Sequence, residues 1–164
     1  AFISGLNDAL KARREYVDRA SEQSEGSGTG TGAPPTRFSR FEFVAKSDTG
    51  FTGLINQGAT CYLNSLLQAL YMAPEFRKAM YEWRYDPDRH GRREFCVALQ
   101  LQRLFAMLQL STRGAVDTGG LTRSFGWDPS VSFQQQDVQE CMAVLFQFVS
   151  STCDGSPIER VISE

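Results

Sequence analysis

Apolar residues return at helical spacing in four separate stretches of this chain, which commits most of it to amphipathic helices around one core. Within and just after residues 53–70, GLINQGATCYLNSLLQAL, the residues Leu63, Leu66, Leu67, Leu70 and Tyr71 fall at i, i+3, i+4, i+7 and i+8. Pro74 and Glu75 open a second, shorter helix whose Phe76, Ala79, Met80 and Trp83 share a face. Residues 94–110 carry the stripe Val97, Leu101, Leu104, Phe105 and Leu108. A last helix, from about residue 135 to 150, presents Val138, Cys141, Met142, Leu145, Phe148 and Val149. These stripes are core positions and not cofactor boxes. With 164 residues, 41% of them apolar, the chain can bury one modest core, so one domain with a tail is expected.

The first stripe begins at a cysteine. Asn56, Gly58 and Thr60 belong to the turn that feeds the helix, with Thr60 reading as the N-cap and Cys61 as the first helical residue. The unpaired N–H groups and the dipole at a helix N-terminus favour an anion, and the thiolate is the reactive form of cysteine. The dipole supplies only roughly 0.3 to 1 kcal/mol, too little by itself to ionise an ordinary thiol at neutral pH, so a nucleophilic role calls for a histidine partner. The chain has one histidine, His90, in YDPDRHGRRE. That stretch reads as an exposed, charged loop, and nothing around His90 argues for the role of base. Cys141 falls on an apolar stripe and reads as a small buried hydrophobe. Cys96 and Cys153 have no activating feature.

The segment around Cys61 resembles the cysteine box of the ubiquitin-specific proteases, papain-like cysteine peptidases that cleave bonds to the C-terminal glycine of ubiquitin. The wording NQGATCYLNSLLQ is most similar to the subgroup containing the herpesvirus-associated ubiquitin-specific protease. Two further segments resemble the same subgroup in the same order: LTRSFGWD at residues 121–128 and QQQDVQE at residues 134–140. The resemblance covers about residues 50–164. It implies that Cys61 is the nucleophile that forms a thioester with the last glycine of ubiquitin, and that Asn56 is the oxyanion-hole residue. It also implies that Gln135 and Asp137 contact the extended, arginine-bearing ubiquitin tail. Asn56 equally suits a tight turn closed by side chain to backbone bonding, and the two roles are compatible. Asp137 and Glu140 also suit the first turn of a helix. Gln136 departs from the subgroup member that the segment most resembles, which has histidine there. The implied fold is the thumb-like, mainly helical half of an α+β papain-like peptidase, and the implied partners are ubiquitin and ubiquitinated proteins.

Several features of the family are missing from the sequence. No segment resembles its histidine box, and the paired CxxC motifs of its zinc fingers are absent: the four cysteines lie 35, 45 and 12 positions apart, which is not zinc-ligand spacing. No metal and no cofactor are expected; the Gly-rich residues 26–32 lack the Lys and the strand-to-helix setting of a phosphate-binding loop. A net charge of −2 gives no electrostatic case for nucleic acid or an anionic membrane. Without a long apolar span or a secretory leader, a reducing compartment, cytoplasm or nucleus, is expected.

Three segments organise the chain. Residues 1–20 suit an amphipathic helix, residues 21–36 form a Gly/Ser/Thr/Pro linker, and residues 37–164 form the N-terminal half of a catalytic domain, with alternating aromatics Phe38, Phe41 and Phe43 running extended toward the cysteine box. Trp127 reads as a packed loop anchor. With Ala1 in place of an initiator methionine, the chain is expected to be a piece of a longer protein, and to be inactive alone for want of the histidine box. A dead ubiquitin-binding scaffold and a helical interaction module with an incidental cysteine are the alternative readings.

Overall fold

The computed structural model describes residues 45–46, 48–126 and 137–163. The proposed helix over 1–20, the linker, the aromatics Phe38, Phe41 and Phe43, Trp127 and Gln135 lie outside them. The order is β1 (Gly53–Leu54), α1 (Cys61–Met72), α2 (Pro74–Glu82), α3 (Pro87–His90), a 3-10 turn (Arg93–Phe95), α4 (Val97–Leu110), β2 (Ala115–Val116), α5 (Gly119–Ser124), α6 (Val138–Thr152) and α7 (Pro157–Ser163). The described residues are thus mainly α, as the four stripes require.

Local chemistry sets the boundaries. A residue before proline is pushed out of the helical region, and Ala73, at φ −74 and ψ 107, ends α1 there while Pro74 starts α2 at its first position. Pro87 does the same for α3, whose N-cap Asp86 accepts a hydrogen bond from the Asp88 N–H. That helix stops at Gly91, whose φ of +67 favours glycine. The expected helix over 94–110 is divided: a 3-10 turn covers Arg93–Phe95 and the α-helix proper starts at Val97, because Cys96 takes an extended conformation between them.

Helix α4 is the centre of the packing. It lies against α2, α5, α6 and β2, while α1 packs on α2 and α6, and α7 covers α2 and α6. Phe105 is fully buried and meets two helices at once, edge to face with Tyr71 of α1 at 5.5 Å and with Phe76 of α2 at 6.1 Å. Gln102 of α4 donates from Nε2 to the carbonyls of Met80 and Trp83, satisfying acceptors that the end of α2 leaves open. In α6 the apolar stripe is shifted from the expected one: Cys141, Val144, Leu145, Phe148 and Val149 are buried, whereas Val138 and Met142 are exposed. The helix begins at Val138, with Asp137 as its cap, three residues later than expected.

Two short strands do for this helical body what periodicity does not reveal. β1 and β2 pair in parallel, Gly53 with Ala115 and Leu54 with Val116, and the bonds from Gly53 N–H to the Gly114 carbonyl (2.7 Å) and from Ile55 N–H to the Val116 carbonyl (2.9 Å) extend the pair at both ends. Ala45 forms an isolated antiparallel bridge with Arg113. The chain before α1 is therefore tied to the chain after α4.

Removing the Phe105 ring leaves a cavity where three helices meet. Phe105→Ala is expected to destabilise the fold by about 3 to 5 kcal/mol, read as a lowered urea midpoint, while Leu110→Ala, at an exposed position, changes stability by less than about 0.5 kcal/mol.

Candidate active site

The loop of residues 55–60 carries the chain from β1 to the first turn of α1. Thr60 occupies the N-cap position, as expected, but makes no side-chain capping bond to the helix. Its hydroxyl faces back into the loop instead: Oγ1 accepts from the Gln57 N–H at 3.0 Å and donates to Asn56 Oδ1 at 2.8 Å, while the Thr60 N–H donates to the same oxygen at 3.2 Å. Thr60 is fully buried, so these bonds satisfy groups that water does not reach. Gly58, at φ +103, makes the turn between them, a conformation that L side chains rarely adopt.

Two consequences follow for chemistry. A backbone N–H can only donate, so the Asn56 atom facing Thr60 is the carbonyl oxygen, and the amide Nδ2 is left as a donor without a partner among the described residues. The first N–H groups of α1 carry no side-chain cap either, and the helix dipole is directed at Cys61, whose side chain is exposed. An accessible thiol, an orientated amide donor five residues earlier and open backbone N–H groups are the parts from which an acyl-transfer site is assembled.

The other three cysteines are buried and lack such a setting. Burial pushes the Cys141 thiol up to about 12, and burial first, then the neighbouring Cys96 and Glu159, pushes Cys153 up to about 12. Tyr62, next to the nucleophile candidate, is also raised to about 12, by burial and then by Cys141 and Cys61. Cys141 comes from α6, which packs against α1.

Asp137 stands at the N-terminus of α6. Its Oδ1 accepts from the Gln139 N–H at 2.7 Å, so the capping reading of this carboxylate is realised, and its second oxygen has no partner among the described residues. His90 departs from expectation. It lies in the one-turn helix α3, half-buried, with its ring 5.0 Å from Trp83 and 5.9 Å from Tyr85. Its Nδ1 accepts from the Asp86 N–H at 2.8 Å. The ring has local work closing α3, and the structure gives it no bond to Cys61. Among the described residues no cluster of three His, Cys, Asp or Glu could hold a metal.

Sequence reading missed Gln57. Its side chain bridges the cysteine loop to the start of α5: Nε2 donates to Thr118 Oγ1 at 2.8 Å and to Asp117 Oδ1 at 3.2 Å, and Oε1 accepts from Thr122 Oγ1 at 3.3 Å. The partners lie 60 to 65 positions away, so no local pattern signals them. A separate open cavity of about 600 Å³ lies between α4, α5 and β2, lined by Glu94, Arg103, Arg113, Asp117 and Arg123 among others; neither Asn56, Cys61 nor Asp137 lines it.

The family described as UCH, ubiquitin carboxyl-terminal hydrolase, matches residues 52–163. The chain is similar to ubiquitin carboxyl-terminal hydrolase 47 of Xenopus laevis, 43% identical over 146 residues, which is 89% of this chain and 10% of that protein. It is similar to the protein of the same name from Drosophila melanogaster, 54% identical over 70% of this chain and 7% of the relative. With ubiquitin carboxyl-terminal hydrolase 15 of Saccharomyces cerevisiae it shares 46% identity over 74% of this chain and 10% of the relative. The chain spans about a tenth of the length of these curated relatives.

The difference in exposure predicts selective labelling. Iodoacetamide at pH 8 is expected to alkylate Cys61 in the folded protein, with Cys96, Cys141 and Cys153 reacting only after unfolding, as peptide mapping will read. The raised thiols also set a sign for stability. Folding holds Cys141 and Cys153 protonated beyond the ordinary value of 9.0, so their contribution is intact below about pH 9 and is lost as pH rises toward about 12. The urea midpoint is expected to be lower at about pH 10.5 than at pH 8.

Proposed function

On the premise that the chain belongs to the ubiquitin carboxyl-terminal hydrolase family, we propose that it supplies the nucleophile half of a deubiquitinase, a thiol hydrolase of isopeptide and peptide bonds at the C-terminal glycine of ubiquitin. The observation that carries this reading is the exposed Cys61 at the uncapped start of α1, behind a loop in which Asn56 has its oxygen locked and its amide nitrogen open. In this reading Cys61 Sγ attacks the glycine carbonyl, and the charge that develops on the carbonyl oxygen is met by Asn56 Nδ2 and the Cys61 N–H. The tetrahedral species collapses to a thioester with departure of the amine, and water then releases ubiquitin. Donors fixed before the reaction act without reorganisation, which is the source of their large effect.

His90 is engaged at Nδ1 and packed among aromatics, so the base that takes the thiol proton and returns it to the leaving amine is a histidine outside these 164 residues. Asp137 uses one oxygen for the α6 cap and offers the other to the arginines of the ubiquitin tail, an arrangement in which capping holds the carboxylate in place for recognition. Gln135 joins it in tail binding. The wording NQGATCYLNSLLQ supports a position near the herpesvirus-associated subgroup of ubiquitin-specific proteases, and the four free thiols support a reducing compartment, cytosol or nucleus.

Hydrolysis of a fluorogenic ubiquitin amide by the full-length protein tests the assignments. Cys61→Ala is expected to abolish turnover. Asn56→Ala is expected to lower kcat by roughly 10² to 10³ with KM within about twofold, whereas an unchanged kcat removes Asn56 from the oxyanion site. Asp137→Asn keeps the capping oxygen and drops the charge, so KM should rise by about tenfold or more with stability preserved; an unchanged KM leaves Asp137 as a cap alone.

A further inference from the structure

The cysteine loop meets the rest of the molecule through one side chain that the chemistry above does not use. Gln57 follows Asn56 directly, and its amide spends both its oxygen and its nitrogen on three residues at the start of α5, Asp117, Thr118 and Thr122. Thr118 and Thr122 are buried, at 1% and 0% exposure, so the two bonds to them are partly shielded from water, while the bond to Asp117 is exposed. The network continues inward. The Gln57 N–H donates to Thr60 Oγ1, Thr60 Oγ1 donates to Asn56 Oδ1, and the Thr60 N–H donates to that same oxygen. A continuous path of hydrogen bonds therefore joins the first turn of α5 to the amide whose nitrogen is to meet the oxyanion.

The path has little slack. Gly120 lets the start of α5 approach α4: a Cβ there would stand 2.9 Å from Gln100 Oε1. Gln100 is itself buried and bound through Nε2 to the Arg93 carbonyl at 2.7 Å. On the strand side, the parallel pair of β1 and β2 fixes the entry to the loop and the entry to α5 in one register. The loop is thus held at its base by backbone bonds and at its crest by Gln57.

We infer that Gln57 is a positioning residue that latches the oxyanion loop to α5, so that Asn56 Nδ2 is already in place when the tetrahedral intermediate forms. The inference rests on the proposed role of Asn56. Gln57 touches neither thiol nor substrate in this account; it acts through Asn56. Loss of the latch lets the amide sample orientations in which it does not face the oxyanion, and small displacements of this kind are costly to turnover.

The test uses the full-length protein and three readouts. Gln57→Leu is expected to lower kcat on a fluorogenic ubiquitin amide by at least about tenfold with KM within about twofold, and to cost less than about twofold when added to Asn56→Ala, because the two act on one donor. The rate of Cys61 alkylation by chloroacetamide, a reaction without an oxyanion, should stay within about twofold of wild type. Amide hydrogen exchange across residues 55–60 should rise while α4 is unchanged, and this readout stands whether or not the protein hydrolyses ubiquitin conjugates. Thr122→Val, which removes the bond to Gln57 Oε1 together with the hydroxyl's bond to the Gly119 carbonyl inside α5, provides a second variant expected to show the same pattern if Gln57→Leu misfolds. Unchanged kcat in both variants, the full Gln57→Leu loss persisting on Asn56→Ala, or unaltered exchange over residues 55–60 overturns the latch. A wild-type protein that fails to hydrolyse any ubiquitin amide overturns the proposed activity instead, and exchange alone then decides the latch.

Discussion

Between β1 and α1 the chain must turn from a strand into a helix within six residues and leave a thiol exposed at the end of the turn. The hydrogen bonds gathered on Thr60 make this possible. Its hydroxyl and its N–H close the loop on Asn56 and Gln57, and because Thr60 is wholly buried, breaking the set would strand polar groups away from water, a penalty of roughly 1 to 3 kcal/mol for each unsatisfied group. A threonine at an N-cap ordinarily turns its hydroxyl onto the helix. Here it turns away, so the helix keeps open N–H groups at the place where an anion would form. The same inversion orders the loop and leaves the helix terminus electropositive.

That loop is only as well placed as its surroundings. Helix α1 is set against α2 and α6 by Leu63 and Leu67, both fully buried, and Phe105 of α4 joins α1 to α2 through Tyr71 and Phe76. The strand pair then ties the entry of the loop to the exit of α4. Core packing fixes the helix, the strands fix the base of the loop, and Gln57 fixes its crest. A thiol in such a frame would need little rearrangement on meeting a carbonyl, as the proposed acyl transfer requires.

The helices were legible in the sequence because their cores are local patterns: Pro74 opening α2, the stripe of α4 from Val97 to Leu108, and Cys61 as the first residue of α1 all stand where periodicity and capping put them. What was not legible depends on partners far along the chain. β1 and β2 are two residues each, too short for any alternation to show, and exist because residues 53 and 115 meet. Gln57 looks like one more polar loop residue until Thr118 and Thr122 are brought beside it. His90 reads as a charged loop because its stabilisation comes from Trp83, Tyr85 and the Asp86 N–H, whose geometry the sequence does not display. In α6 the buried face runs through Cys141, Val144, Leu145, Phe148 and Val149, and Val138 and Met142, which the apolar pattern also includes, lie off that face.

The central claim is that Cys61, alone among four thiols, is placed to attack the C-terminal carbonyl of ubiquitin. Incubating the full-length protein with ubiquitin that carries an electrophile at its C-terminus, and mapping the adduct by mass spectrometry, tests it most directly. The account predicts a single ubiquitin adduct on Cys61 and none on Cys96, Cys141 or Cys153; an adduct on one of those three, or no adduct at all, would contradict it.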